Sequence, residues 1–188
     1  GGLNEIQNIL IRLRELSMQA ATDTLGDVER GFTDKEVQSL VEEVQRIATI
    51  TKFNGINLLD GQGQLLELQV GTHNNPEQDR LTYDTAKNNV TTERLGLTGI
   101  GVRTKLDAQT NLDKIDEAIK MVNDNRADFG AMQNRLQSTI NNLNVADENM
   151  SAANSRIRDV DVAAESSELT KRNILAQAGT SMLAQANS

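Results

Sequence analysis

The stretch LDKIDEAIKMVNDNRADFGAMQNRLQSTINNL, Leu112 to Leu143, carries apolar residues at intervals of three and four. At about 100° per residue, this spacing places them on one face of an α-helix. The series comprises Leu112, Ile115, Ile119, Val122, Phe129, Met132, Leu136, Ile140 and Leu143, with Arg126 at the one position that breaks it. We expect a helix from about Leu106 to Met150. At roughly 60 Å it is too long for one compact globule, and it therefore predicts a rod.

Two further helices are predicted ahead of this stretch. The first runs to about Thr22, and its apolar arc consists of Leu3, Ile6, Ile9, Leu10, Leu13, Leu16 and Ala20. It shows no N-cap, so we expect the sequence to start inside or just before a longer helix. Thr33 and Glu36 then have the spacing of a capping box, which predicts that a second helix opens near Asp34 and continues to about Thr51.

Two short segments between the helices have the alternation of β-strands. Apolar and polar residues alternate from Gln64 to Val70 and again from Leu81 to Thr85, which predicts a β-hairpin at about residues 64–85. The fold class is therefore mainly α: an elongated antiparallel helical rod or coiled-coil bundle of three long helices with a small β-hairpin. We assign the rod to residues 1–160. Residues 161–188 form a further amphipathic segment that is either partly disordered or an extension of the long helix.

Composition excludes most enzyme classes and most kinds of ligand site. The chain has no cysteine and one histidine, His73, which rules out thiolate chemistry, disulfides and a histidine-pair zinc site. We interpret His73 as a surface-loop residue. The net charge of −8 and the 2% aromatic content argue against nucleic-acid binding, and no apolar run approaches the roughly 20 residues of a bilayer span. We expect no catalysis, no cofactor, and neither a nucleic-acid nor a membrane partner.

One acidic cluster merits consideration as a cation site. It consists of Asp159 and Asp161, with Glu165 and Glu168 nearby. The cluster lacks the glycine and the alternating oxygen ligands of a calcium loop. Carboxylates at the start of a helix more often serve in capping or interact with the helix dipole. We therefore expect no metal there.

The first helix contains a stretch, LIRLRELSMQ, whose apolar residues surround much of the helix. Leu16 lies at the edge of the core arc beside Arg12 and Gln19, whereas Ile11 and Met18 stand away from the arc. Two interpretations stay open on this pattern alone. The helix has either a wide core stripe with ragged edges, or one buried arc and further faces that contact neighbouring subunits or partners.

Four motifs, in family order and over nearly the whole chain, resemble those of bacterial flagellins. LNEIQNILIRLRELSMQAA resembles the family's N-terminal helix and TKFNGINLLDG its phenylalanine-asparagine-glycine turn. AMQNRLQSTINNL is similar to the C-terminal rod helix, and SRIRDVDVAAESSELTKRNILAQAGTSMLAQAN to the segment leading into the terminal core helix. The resemblance implies a secreted structural subunit of the flagellar filament. Such a subunit serves motility, leaves the cell through the flagellar type III channel and self-assembles by helix packing.

The resemblance also implies which parts of a flagellin are present. The family's variable outer domains are absent, and the insertion is reduced to about Leu97 to Lys105. We expect this truncated chain to be monomeric by itself. Within a filament, we expect Ile11 and Met18 to pack against other subunits.

Two further partners follow from the resemblance. Some flagellins are recognised by Toll-like receptor 5, a vertebrate receptor of innate immunity, and the matching positions are Arg12, Leu16, Gln19, Glu36 and Arg135. The capping box is a competing role for Glu36. The segment that resembles the binding site of the flagellin export chaperone contains Ile174, Leu175, Met182 and Leu183.

Two alternatives to a flagellar filament subunit stay open. One is a hook–filament junction protein, and the other is a non-flagellar helical adaptor or signalling coiled coil.

Overall fold

The computed structural model describes residues 1–158 and 162–187 and contains two compact units, residues 1–136 and residues 137–188. The fold is mainly α with small antiparallel sheets, which confirms the predicted class. The helices are α1 (Gly2–Ala20), α2 (Asp27–Ile50), α3 (Lys105–Arg158) and α4 (Val162–Ala186). The strands are β1 (Lys52–Phe53), β2 (Ile56–Asn57), β3 (Leu65–Gln69) and β4 (Arg80–Asp84). Within the described residues, no helix is both long enough and apolar enough to cross a bilayer.

The second helix begins seven residues earlier than the sequence predicted. It starts at Asp27, so Thr33 lies inside the helix, where its hydroxyl donates to the Glu29 carbonyl at 3.1 Å. The predicted capping box is therefore wrong, and Glu36 has no capping role to compete with another function. The early start includes Gly31 within the helix, at a cost of about 1 kcal/mol relative to alanine. Acidic residues in the first turn, Asp27 and Glu29, favour the start because they interact with the positive end of the helix dipole.

A buried arginine explains why the helix must start there. Arg30 is only 8% exposed, and its guanidinium donates to the carbonyls of Ala20 at 3.0 Å and Thr22 at 2.8 Å. These carbonyls belong to the C-terminal end of α1 and the following turn, where backbone acceptors lack helical partners. Arg30 therefore joins α1 to α2, and this requires a helical turn around residue 30.

Two hairpins follow α2. The first pairs β1 with β2 through Asn54 and Gly55, whose positive φ values of 49° and 78° are those of a two-residue turn. The sequence predicted a turn there but no strands. The second pairs β3 with β4 in the register Leu66 to Tyr83 and Leu68 to Leu81, and this is the predicted hairpin.

The segment between the second hairpin and α3 belongs to the core of unit 1. Five of its apolar side chains are at most 2% exposed: Val90, Leu95, Leu97, Ile100 and Val102. The reduced insertion that the family resemblance implies, residues 97–105, therefore contributes Leu97, Ile100 and Val102 to the core, and its origin as the remnant of an outer insertion stays a prediction. Three polar side chains fix the segment's backbone: Asp34 accepts from the Val102 N–H, Gln38 donates to the Ile100 carbonyl and Asn111 donates to the Gly101 carbonyl.

The long helix α3 covers the predicted range and extends beyond it. Its buried residues are Ala108, Asn111, Ile115, Ala118 and Val122. Leu112 and Ile119 of the predicted stripe are only half-buried, so the buried face is rotated towards the alanines. Small side chains at these positions let the neighbouring segments approach closely, and a count of large apolar residues could not have detected this.

Unit 2 contains the end of α3 and all of α4. Its described apolar side chains are exposed, including Ile140 and Leu143, and α4 has no buried residue. The predicted domain boundary at residue 160 lies outside the described residues, as do Asp159 and Asp161 of the acidic cluster. The boundary stays a prediction.

Candidate docking surface

Two arginines of α1 bind the helices on either side of it. Arg12 and Arg14 are two positions apart, so their side chains leave the helix about 200° from each other. Arg12 Nε donates to Glu36 of α2 at 2.9 Å, and Arg14 Nε donates to Asp116 of α3 at 2.6 Å. Arg12 also contacts Glu15 of its own helix at 3.3 Å. The charged residues of this stretch therefore connect α1 to both neighbouring helices.

The Arg12 and Glu36 pair lies at the surface. The side chains of Arg12 and Glu36 are 49% and 45% exposed, respectively. Hydrogen bonds from the guanidinium to Glu36 and then Glu15 raise the pKa of Arg12 above its ordinary value. The pKa of Arg14 is raised in the same way by its bond to Asp116. Both guanidinium groups therefore stay charged at neutral pH, so the surface presents two fixed positive charges.

Leu16, which we placed at the edge of the core arc, is buried. Its side chain is 3% exposed and belongs to the core cluster together with Leu13 and Ala20. At about 100° per residue it falls within the arc that α1 turns towards its neighbours. Leu16 can therefore support a docking surface from below, but in this conformation it offers almost no side-chain area to a partner.

The other two receptor candidates lie in separate places. Gln19 is exposed on α1, two turns beyond Arg12. Arg135 is exposed on α3, 19 residues beyond Asp116 (135 − 116), which is about 28 Å along the helix. It lines a surface pocket together with Tyr83 and Asp128. The structure therefore places Arg135 away from the Arg12 and Glu36 pair.

Ile11 and Met18 lie on an outer face of α1. They are 43% and 50% exposed, and Arg14 Nη1 donates to the Met18 sulfur at 3.3 Å. Unit 2 presents the remaining predicted contacts, each at least 60% exposed: Ile174, Leu175, Met182 and Leu183. Both sets are therefore accessible, as a contact surface requires.

Acidic side chains and the single histidine form no metal-binding cluster within the residues that the structure describes. Residues 1–158 and 162–187 contain no cluster of three or more His, Asp and Glu side chains that could share a cation. His73 is exposed in the loop between β3 and β4, with its Nδ1 at 3.0 Å from the Thr72 hydroxyl. It is the surface-loop residue that we expected.

Sequence reasoning missed Asp116 as the partner of Arg14 and Asp34 as a buried anchor. The two members of the Arg14 and Asp116 pair are separated by 102 positions, and nothing local to either residue indicates the other. Asp34 looked like an ordinary residue at the start of a helix. Its alignment with the Val102 N–H depends on how the later segment folds back, so no sequence signal could have identified it.

Comparison with known proteins gives a consistent result. The profile described as the bacterial flagellin N-terminal helical region matches residues 1–64, and that of the C-terminal helical region matches residues 112–188. The flagellin of Halalkalibacterium halodurans is 42% identical over 100% of this chain and 68% of its own length. The flagellar filament 33 kDa core protein of Treponema phagedenis is 40% identical over 98% of this chain and 68% of its own length.

A further relative and one solved structure agree with these matches. The flagellin of Bacillus subtilis is 38% identical over 100% of this chain and 71% of its own length. The crystal structure of Bacillus cereus flagellin superposes with a TM-score of 0.66 at 33% identity, over 81% of this chain and 85% of that one.

Proposed function

This chain belongs to the bacterial flagellin family, and from that premise we propose that α1 and α2 form a receptor-docking surface in addition to the contacts between subunits. The chain is a structural subunit of the flagellar filament and not an enzyme. It assembles with other flagellin subunits in a filament outside the cell. Its relatives favour this role over a hook–filament junction protein or a helical adaptor.

The proposed receptor is Toll-like receptor 5, as the family resemblance implies. One observation carries the proposal: Arg12 and Glu36 come from different helices, meet at 2.9 Å and each keep nearly half of the side chain exposed. An exposed ion pair contributes only about 0 to 1 kcal/mol to folding. An arginine at the centre of an interface can contribute about 2 kcal/mol or more to binding. The pair therefore has little effect on stability and a large potential effect on binding.

The other receptor candidates have different roles in this proposal. Gln19 extends the surface along α1. Leu16 supports it from the core and keeps the backbone of Arg12 and Gln19 in place. Arg135 lies about 28 Å along α3 from Asp116 and contributes a separate, weaker contact.

The docking surface is tested by titrating the receptor ectodomain with matched variants. Arg14 is the control for Arg12, because it lies on the same helix, is similarly exposed at 44% and forms a comparable ion pair. We expect Arg12→Ala and Glu36→Ala to weaken binding by about thirtyfold, the equivalent of about 2 kcal/mol. Arg14→Ala should change the affinity less than threefold. Equal losses for Arg12→Ala and Arg14→Ala would contradict the assignment.

Four further proposals complete the role of the chain. Ile11 and Met18 pack against neighbouring subunits, and the rod comprises residues 1–160 with the start of the terminal core helix at 161–188. The chain is exported through the flagellar type III channel, and the export chaperone binds the exposed apolar side chains Ile174, Leu175, Met182 and Leu183 of α4. Replacing Ile174 and Leu175 together by serine should abolish binding of the purified chaperone, whereas Lys171→Ala should not. Unchanged chaperone affinity in the serine variant would exclude these residues as the contact.

A further inference from the structure

Two of the three phenylalanines are exposed at opposite ends of α2. Phe32 is 65% exposed and lies one turn after Val28, which is 68% exposed. Phe53, in β1, is 67% exposed and lies three residues after Ile50, the last residue of α2, which is 55% exposed. The remaining exposed positions of α2 are polar, so its exposed apolar residues are confined to its two ends. We name Val28 and Phe32 the start patch, and Ile50 and Phe53 the end patch.

The separation of the two patches determines what kind of contact they can form. The 24 residues of α2 place its ends about 36 Å apart. If one patch met the same patch on a second copy, the contact would be two-fold symmetric and would close a dimer. A filament requires contacts between unlike surfaces, which leave a free surface at each end for the next subunit. This requirement favours pairing the start patch of one copy with the end patch of another.

The charges beside the two patches are complementary. Asp27 and Glu29 flank the start patch, and Lys52 lies directly before Phe53 in the end patch. Arg30 pairs with Asp27 at 3.1 Å, and Lys35 lies over the Phe32 ring, with Nζ at 5.8 Å from the ring centroid. Glu29 is therefore the acidic side chain of the start patch that can face Lys52 of the end patch. Opposite charges around apolar centres favour encounter of the unlike ends, and like charges disfavour encounter of identical ends.

We propose that the start patch of one subunit docks on the end patch of a second copy of this chain, so that Val28 and Phe32 contact Ile50 and Phe53. The contact is distinct from the face of Ile11 and Met18 and from the Arg12 and Glu36 pair. It rests on the chain's membership of a filament and not on receptor recognition.

Disulfide cross-linking within assembled filaments tests which ends meet. The sequence contains no cysteine, so introduced thiols have no native competitor within it. Val28→Cys and Lys52→Cys leave both phenylalanines in place. Filaments copolymerised from the two variants should yield cross-linked heterodimers on oxidation, and filaments of either variant alone should yield none. Filaments that form without heterodimers, or that yield Val28→Cys homodimers, would overturn the proposal.

Charge exchange gives a second test that does not depend on thiols. Glu29→Lys and Lys52→Glu should each raise the critical concentration for seeded growth about tenfold, because each places like charges at the contact. The double variant should return to within about threefold of the unmodified protein, and Ser39→Ala in the middle of α2 should have no effect. A double variant no better than the single variants would overturn the proposal. Receptor affinity of the monomers is a separate readout, since Arg12 and Glu36 are unchanged.

Discussion

Replacing Leu16 by alanine separates support of the core from direct contact with a partner. The side chain is 3% exposed, and the substitution removes three carbon atoms from the core. At about 0.8 kcal/mol per buried carbon, the lost transfer free energy is about 2.4 kcal/mol. The remaining cavity adds to this, so we expect a total of about 2.5 to 4 kcal/mol. The matched control is Ile11→Ala on the same helix, which is 43% exposed and should cost less than about 1 kcal/mol.

The assay is urea unfolding followed by circular dichroism, with receptor binding measured on the same samples. For an m-value of about 2 kcal/mol per molar urea, Leu16→Ala should lower the unfolding midpoint by between 1 and 2 M. Any loss of receptor affinity should be matched by loosened hydrogen-exchange protection in α1. If Leu16→Ala costs less than about 1 kcal/mol and still abolishes binding, Leu16 contacts the receptor directly, and the reasoning from its burial is wrong.

Three more substitutions test the connections that hold unit 1 together. Arg30→Ala should cost about 2 to 4 kcal/mol in urea unfolding, because the carbonyls of Ala20 and Thr22 lose their buried donor. Burial opposes ionisation of Asp34, but bonds from Arg103 and from the Val102 N–H outweigh it and lower the pKa of Asp34. Its contribution is therefore present above the unfolded-state pKa of about 3.9 and lost as pH falls through the lower folded-state pKa. In Asp34→Asn, the melting temperature should fall less steeply as the pH is lowered. An unchanged fall would exclude Asp34 as its source. Gly61→Ala should lower the melting temperature, because φ is 74° and a Cβ would meet the Asn89 side chain at 2.5 Å. An unchanged melting temperature would show that Asn89 can move aside.

The helices could be predicted because their signal is local. The apolar spacing of α1 and α3 is repeated many times, and each helix must bury such a face wherever it packs. The second hairpin was predicted for the same reason, since alternation over five residues specifies an extended strand with two faces.

The errors concern interactions between distant parts of the chain. Thr33 and Glu36 had the spacing of a capping box, but Arg30 needed a helical turn three residues earlier to reach the carbonyls that end α1. Leu16 was placed in the core arc but at its edge, and only the packed neighbours determined how deeply it is buried. The bond between Arg14 and Asp116 crosses 102 positions of sequence. Periodicity describes each helix separately, so it could not assign these partners.

Hydrogen exchange, measured on the complex with the receptor ectodomain, shows whether the exposed Arg12 and Glu36 pair marks the receptor-facing surface. Arg12 and Glu36 bring α1 and α2 together on one side of the chain, whereas Asp116 of α3 lies on the other side of α1. Binding should slow exchange in peptides covering residues 8–20 and 30–40 and leave residues 110–124 unchanged. Protection of residues 110–124 without protection of residues 30–40 would contradict the account.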